Sequence, residues 1–340
     1  MERQLRRAIP WLKSLAGIAL LAVSLRSVRW SVLLKDILAA DPTWLLLAIA
    51  SVLLGLALKV WRWDVLLRGF GVSTSARRTT EAFLAGQATN IVLPARGGEV
   101  VRLGMLGSGQ TWQLPQIATT IALEKVLDLL ALTTVAVAVA AYLPSDVHAR
   151  LRGWLLPASA LSMALLVMAV IWGPRWWSRF IDGLGGRARS WLARPLAFVG
   201  KLVDSSRWLR APRRASPALL LTLLIWATMG ATNLLLFRAL RLPLGGAAAG
   251  LVLVLVMLGM LPALMPGNVG PFYFFAELAL VPFAVGAQPA VAFAILLHAI
   301  VTLPPLLAAG LLLSSSDKLL AGLKGSLQRP ETILPAEREP

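Results

Sequence analysis

Long apolar runs alternate with polar, arginine-rich segments along this chain. A helix that crosses a bilayer needs about 20 mostly apolar residues. Runs that approach this length lie at 10–27, 43–60, 116–143, 153–173, 217–238, 247–265 and 289–313. The pattern predicts an all-α, polytopic integral membrane protein with about seven to eight transmembrane helices.

Two shorter apolar runs, 82–93 and 271–285, border breaks that contain Pro and Gly. Short, interrupted hydrophobic segments in both halves of a chain are typical of re-entrant or broken helices around a site near the membrane midplane. The sequence at 93–98 also recurs loosely at 265–270. Either an inverted repeat or chance similarity between apolar segments explains this echo.

The composition supports a membrane location and favours lipids over nucleic acid as binding partners. Of the 340 residues, 58% are hydrophobic, and the net charge is +17. Because the basic residues lie between the apolar runs, the charge indicates positive-inside topology and attraction to anionic lipid headgroups, and no nucleic acid partner is expected. The N-terminus and the loops 59–80 and 174–216 are predicted to be cytoplasmic, in a multi-pass protein of the cell membrane. Since there is no cysteine, disulfides and thiolate metal sites are excluded.

The expected organisation is one transmembrane domain over residues 1–340. Its first half spans 1–173, and its second half spans 217–313. Between them, residues 174–216 mix aromatic and basic residues, which indicates either an amphipathic helix on the membrane surface or a plain basic linker. Residues 314–340 form a short polar tail. The N-terminus resembles a signal peptide, but the apolar spans that follow favour an uncleaved first helix.

The first break is the leading candidate for a functional site. Pro94 lacks an amide donor, and Gly97-Gly98 tolerates unusual backbone angles, so one helix should end near Leu93 and another begin near Gly98. The exposed amides of the new helix would attract an anion, with Arg96 beside them as a phosphate ligand.

Further charged residues lie near this break. Glu99 and Arg102 are three apart on the new helix and could pair, as a switchable or a purely structural ion pair. Glu124 and Asp128 share one helix face and could pair with Arg96 or Arg102, or form an interfacial cluster at the cytoplasmic helix start.

Three other residues are candidates. His298 lies in an apolar span, as a proton or phosphate contact or as a packing group. Arg62 and Trp63 end the second span and are interpreted as headgroup contacts, with a lipid-phosphate contact from Arg62 as a further candidate. No metal signature and no cofactor motif is evident.

Three motifs resemble the flippase-like transmembrane family, the membrane region of lysylphosphatidylglycerol synthases. They are Arg-Trp-x-x-Leu-Leu from Arg62, Asn90-x-x-x-Pro-x-Arg-x-Gly-Glu-x-x-Arg to Arg102, and Glu124-x-x-x-Asp128. The second break and the segment from His298 to Pro304 also fit. The resemblance implies a helix bundle with re-entrant elements that moves an anionic or aminoacylated lipid between leaflets.

The sequence departs from the family in two places. Tyr273 stands where the family often has Glu, and Glu277, one turn later, is a candidate substitute. No soluble aminoacyl-transferase domain is expected to accompany this membrane region, so lysyl transfer from a charged tRNA is not expected. The candidate substrate-binding residues are therefore Asn90, Pro94, Arg96, Gly97, Gly98, Glu99, Arg102, Glu124, Asp128, Pro266, Gly267, Asn268, Gly270, Glu277 and His298.

The leading hypothesis is a translocase for an anionic or aminoacylated phospholipid or a polyprenyl-phosphate-linked lipid, and not an enzyme. Its partners would be membrane lipids, bound through their phosphate headgroups. One alternative is a membrane-embedded transferase that acts on lipid-linked substrates. Another is a non-transporting membrane partner of lipid-modifying enzymes.

Overall fold

The helices follow the apolar runs, with breaks where Pro and Gly interrupt them. The computed structural model describes residues 15–26, 28–93, 97–107, 113–142, 157, 212–261 and 266–314. The predicted span 153–173, most of the linker 174–216 and the tail beyond Ser314 therefore lie outside the described residues, apart from residue 157.

The described part of the chain contains ten α-helices. They are α1 (Leu15–Leu25), α2 (Trp30–Leu38), α3 (Pro42–Gly69), α4 (Ala76–Val92), α5 (Gly98–Gly107), α6 (Leu114–Tyr142), α7 (Pro212–Ala239), α8 (Gly246–Gly259), α9 (Val269–Leu280) and α10 (Ala287–Ser314). Two 3-10 turns, Pro266–Asn268 and Val281–Phe283, flank α9. The predicted all-α fold is confirmed for these residues.

Three described helices are long and apolar enough to cross a membrane, namely α3, α7 and α10. A fourth span results if α1 and α2, which meet at an angle of 82°, are counted together. The run 247–265, predicted as a full span, is corrected: α8 has only 14 residues. At 1.5 Å per residue it reaches about 21 Å, less than the bilayer core of about 30 Å.

Helices α3 to α6 and α7 to α10 repeat one pattern of a long helix, two short helices around a break, and a long helix. The first helix of each repeat has 28 residues, and the last has 29 in α6 and 28 in α10. Both breaks fall between the two short helices, at 93–97 and at 260–268. The predicted pair of interrupted segments is therefore present in both halves.

The two repeats run in opposite directions. Along the contact between α3 and α7, the Asp41 amide donates to the Ala239 carbonyl at 3.0 Å, and the Ser51 hydroxyl donates to the Thr228 carbonyl at 3.0 Å. Further along, Arg62 donates to the Thr222 hydroxyl at 3.0 Å. Residue numbers rise along α3 as they fall along α7, so these two equivalent helices are antiparallel, as an inverted repeat requires.

Small side chains permit this long contact. Gly55 lies against the Thr228 hydroxyl, where an added Cβ would come within 2.8 Å of the oxygen. Small residues let helices approach closely inside membranes, where packing and interhelical hydrogen bonds take the place of hydrophobic burial. The α3–α7 pair therefore forms the central axis, and α4, α8 and α10 pack around it.

Both long helices end in the same hydrogen-bonded cap. The amides of Val72 and Gly71 donate to the carbonyls of Leu67 and Arg68 at 2.9 and 3.0 Å. In the second repeat, Leu242 and Arg241 donate to Phe237 and Arg238 at 2.8 and 3.0 Å. This is a Schellman motif, which places one residue in the left-handed region.

The left-handed residue is Gly71 in the first repeat, with φ of 75°, and Arg241 in the second, with φ of 55°. A non-glycine residue there costs about 1–2 kcal/mol. We therefore expect Arg241→Gly to raise the free energy of unfolding by about 1 kcal/mol, and Gly71→Ala to lower it by a similar amount. Thermal unfolding of the detergent-solubilised protein measures both, and a lower melting temperature for Arg241→Gly would contradict the expectation.

Candidate functional site

The first helix break is closed by Asn90. Helix α4 ends at Val92 and α5 begins at Gly98, as the sequence predicts. The Asn90 Oδ1 accepts a hydrogen bond from the Gly98 amide at 2.8 Å, and the Val100 amide donates to the Gly97 carbonyl at 3.1 Å. The expectation of freely exposed first-turn amides is thereby corrected, because the protein itself occupies two of them. Pro94 and Arg96 lie outside the described residues.

Two glycines bring the helices on either side of this break together. Gly86 in α4 and Gly98 in α5 face each other, and a Cβ on either glycine would collide with the carbonyl oxygen of the other. Arg102 also packs against Gly86. The Gly-Gly pair of the motif therefore serves close helix approach as well as the turn.

The second break is held by His298. The Pro266–Asn268 turn places Gly267 and Asn268 in the left-handed region, with φ of 63° and 51°. His298 Nε2 donates to the Gly267 carbonyl at 2.9 Å, which fixes the ring against the turn. The ring also contacts Phe272 edge-on, with centroids 4.8 Å apart. Gly270, the last glycine of the motif, packs against the backbone of Gly17 in α1.

The two breaks lie next to each other and share a cavity. A Cβ added at Gly267 would lie 3.9 Å from the Ile91 carbonyl oxygen at the end of α4. The turn at Pro266–Asn268 therefore packs against α4. The cavity beside them has a volume of about 200 Å³. Its polar lining comes from both repeats and includes Ser51, Lys59, Gln87, Asn90, Thr228, Thr232, Asn233, Asn268, His298 and Thr302. Apolar residues such as Leu56, Val252, Val256 and Phe272 form the remaining wall.

A charge network lies beside this cavity. Arg62 donates to Asp128 at 2.7 Å and lies 3.8 Å from Glu124, while Arg102 pairs with the other oxygen of Glu124 at 2.5 Å. The Arg102 guanidinium stacks on the Trp63 ring, 3.8 Å from its centroid. The buried Arg62, Arg102 and Glu124 and the partly exposed Asp128 therefore neutralise one another, and unpaired charges inside the bundle would be costly.

The predicted pairing of Glu99 with Arg102 is corrected. Glu99 binds Lys125 at 2.8 Å, and Arg102 binds Glu124. The two side chains point in different directions. Arg102 points into the bundle and stacks on Trp63. Glu99 is partly exposed and points toward Lys125 of α6. The pairing of Glu124 with Arg102 is one of the two pairings, with Arg96 or Arg102, that the sequence suggested across the bundle.

Arg62 and Trp63 are not at the lipid surface. Their relative exposures are 2% and 0%, and the Trp63 indole donates to the Thr120 hydroxyl at 3.1 Å. The prediction of headgroup contacts at these residues is therefore corrected. Helix α3 continues to Gly69, beyond the predicted end of the span, so these residues lie within the helix and face α6 and α7.

The structure divides the candidate residues into groups. Asn90, Gly267, Asn268 and His298 line the cavity. The residues Arg102, Glu124 and Asp128 form the neighbouring network. Glu277 lies on α9 outside the described cavity lining, whereas Tyr273 contacts the His298 ring with centroids 5.4 Å apart.

Sequence reasoning missed part of the cavity wall. Ser51, Gly55 and Lys59 follow one another at four-residue spacing on α3, and Thr228 and Thr232 do so on α7. Residues four apart share a helix face. The available signal was therefore a stripe of small and polar residues within each apolar run.

These features define a class: an all-α polytopic membrane protein in which two similar helical halves meet at a half-polar cavity beside a charge network. The chain belongs to the family of the lysylphosphatidylglycerol synthase TM region, whose model matches residues 9–309. No match to this chain was found among curated proteins.

Proposed function

We infer that this protein moves an anionic or aminoacylated phospholipid, or a polyprenyl-phosphate-linked lipid, between the two leaflets. The observation that carries the inference is the cavity, which both helix breaks line and to which both inverted repeats contribute. Transporters built from inverted repeats bind their substrate near the midplane, where broken helices meet, and expose it alternately as one repeat rocks against the other.

The chemistry of the lining suits a lipid headgroup. Amide and hydroxyl groups offer hydrogen bonds on one side, and Val252, Val256 and Phe272 offer an apolar wall on the other. Family membership supports a link to membrane lipids, and lipid movement is the step proposed on the geometry. The charge network would act as a rigid support beside the cavity, because its charged groups bind one another.

The proposal is tested by leaflet exchange of fluorescent phosphatidylglycerol in proteoliposomes. Gln87→Phe places a bulky ring in the cavity and is expected to reduce exchange to the level of protein-free liposomes. Val92→Phe is the matched control, because Val92 lies on the same helix but is 58% exposed outside the cavity lining. This control should exchange lipid like the wild type.

Two results would contradict the proposal. One is wild-type protein that moves neither phosphatidylglycerol nor a polyprenyl-phosphate-linked lipid. The other is unchanged exchange in Gln87→Phe. Mass spectrometry of the recovered lipid is run in parallel, since a chemically altered lipid would favour the transferase alternative.

A further inference from the structure

The cavity contains a cation that contacts no described carboxylate directly. Lys59 lines the cavity, and within the described part of the chain it forms no ion pair and no hydrogen bond. It lies ten residues before the end of α3 at Gly69, about 15 Å along the helix axis. A lysine at that depth inside the protein marks a functional site by default.

The local charge balance points to a single missing negative charge. Lys59 and the described ion pairs nearest to it contain four cations, Lys59, Arg62, Arg102 and Lys125, and three carboxylates, Glu99, Glu124 and Asp128. Arg62, Arg102 and Lys125 each contact a carboxylate. The charge left over is that of Lys59, and one monoanion in the cavity would balance it.

A second buried group in the cavity lacks a partner. Asn268 is only 7% exposed, lines the cavity, and its side-chain oxygen has no hydrogen-bond partner among the described residues. A buried polar group of this kind loses free energy unless a ligand or water binds it. An amide and an ammonium that line one cavity suit a headgroup that carries both an anionic oxygen and a hydroxyl or amine donor.

We propose that Lys59 binds a phosphodiester monoanion in this cavity, with Asn268 binding a donor group on the same headgroup. Lysine binds phosphate as a point charge with rotatable donors, and this fits an oxygen of a phosphodiester. A phosphomonoester or pyrophosphate carries more than one negative charge, which exceeds the single surplus cation. The proposal rests on the inferred lipid transport and names the headgroup class that the site selects.

The test measures binding and not transport, so that the two proposals fail separately. The full chain in detergent is titrated with short-chain phosphatidylglycerol, phosphatidic acid and phosphatidylcholine, and the shift in melting temperature gives the apparent affinity. We expect phosphatidylglycerol to bind most tightly. Lys59→Gln should weaken its binding tenfold or more, since a charge-assisted hydrogen bond is lost, and Lys59→Arg should retain most of it.

The matched control is Arg68→Gln. This change removes a positive charge from the same helix, but Arg68 is 67% exposed and pairs with Asp64 outside the cavity lining. Its affinity for phosphatidylglycerol should equal that of the wild type. Asn268→Gly removes the side-chain amide and tolerates the left-handed backbone at this position. This variant should bind phosphatidylglycerol more weakly but phosphatidic acid almost as before, since only the former headgroup carries glycerol hydroxyls.

The outcomes separate cleanly. Unchanged phosphatidylglycerol binding in Lys59→Gln would overturn the proposal, as would tighter binding of phosphatidic acid by the wild type. Glycerophosphoglycerol has the same phosphodiester headgroup without acyl chains. Comparing it with phosphatidylglycerol shows whether the site binds a lipid headgroup or a soluble phosphodiester. Binding of either compound that depends on Lys59 supports the site. If Lys59-dependent binding occurs but no lipid changes leaflet, the transport proposal fails and the binding site remains.

Discussion

Glu124→Gln is expected to lower the yield of folded protein strongly. Glu124 is the only carboxylate in the described network that contacts both buried guanidinium groups, those of Arg62 and Arg102. Without its charge, buried Arg102 has no carboxylate partner among the described residues, and Arg62 keeps only Asp128. Breaking a buried ion pair by removing one partner typically costs about 3–5 kcal/mol, a large fraction of the stability of most proteins. We expect a strongly reduced monodisperse peak in size-exclusion chromatography and a lower melting temperature.

The control for this experiment is Glu99→Gln. Glu99 also forms one ion pair, with Lys125, but the side chains are 28% and 53% exposed. Partly exposed pairs contribute about 0–1 kcal/mol, so this variant should fold almost normally. Equal losses in the two variants would show that burial in the network does not set the cost.

Gly98→Ala is expected to be the second severe change. A Cβ at Gly98 would collide with the Gly86 carbonyl oxygen and with the Asn90 amide, and neither can retreat without separating α4 from α5. Overpacking costs about 1–3 kcal/mol, and loss of the Asn90 cap adds about 1 kcal/mol. The melting temperature should fall, and lipid exchange should fall with it, because Asn90 lines the cavity.

Gly104→Ala provides the comparison on the same helix. An added Cβ at Gly104 meets nothing within 4 Å. Alanine favours a helix interior over glycine by about 1 kcal/mol, so this variant should be as stable as the wild type or slightly more so. If Gly98→Ala were as stable as Gly104→Ala, the close approach of α4 and α5 would be wrong.

Several features were predictable because they depend on local sequence. The end of α4 near Leu93 and the start of α5 at Gly98 follow from proline and glycine chemistry at those positions. The inverted repeat left only a faint echo at the two breaks. It becomes evident in the antiparallel contact of α3 and α7, since helices can keep their order and direction while their side chains change.

The partners of the charges were not predictable. Arg102 is three residues from Glu99 but pairs with Glu124, which is 22 residues away along the chain. Arg62 reads as an interfacial anchor from its position near the end of an apolar run, yet Asp128 and Thr222 bind it inside the bundle. The sequence shows where a charged residue lies along its own helix, but it does not show which other helix packs against that residue.

By itself, the sequence determined that the chain is a helical membrane protein with broken helices in both halves, because hydrophobic length and Pro/Gly breaks act locally. Only the tertiary structure decided which charges neutralise each other and which cation, Lys59, is left facing the cavity. The physical reason is that ion pairing and cavity formation depend on contacts between helices far apart in the chain, such as α3 with α6 and α7.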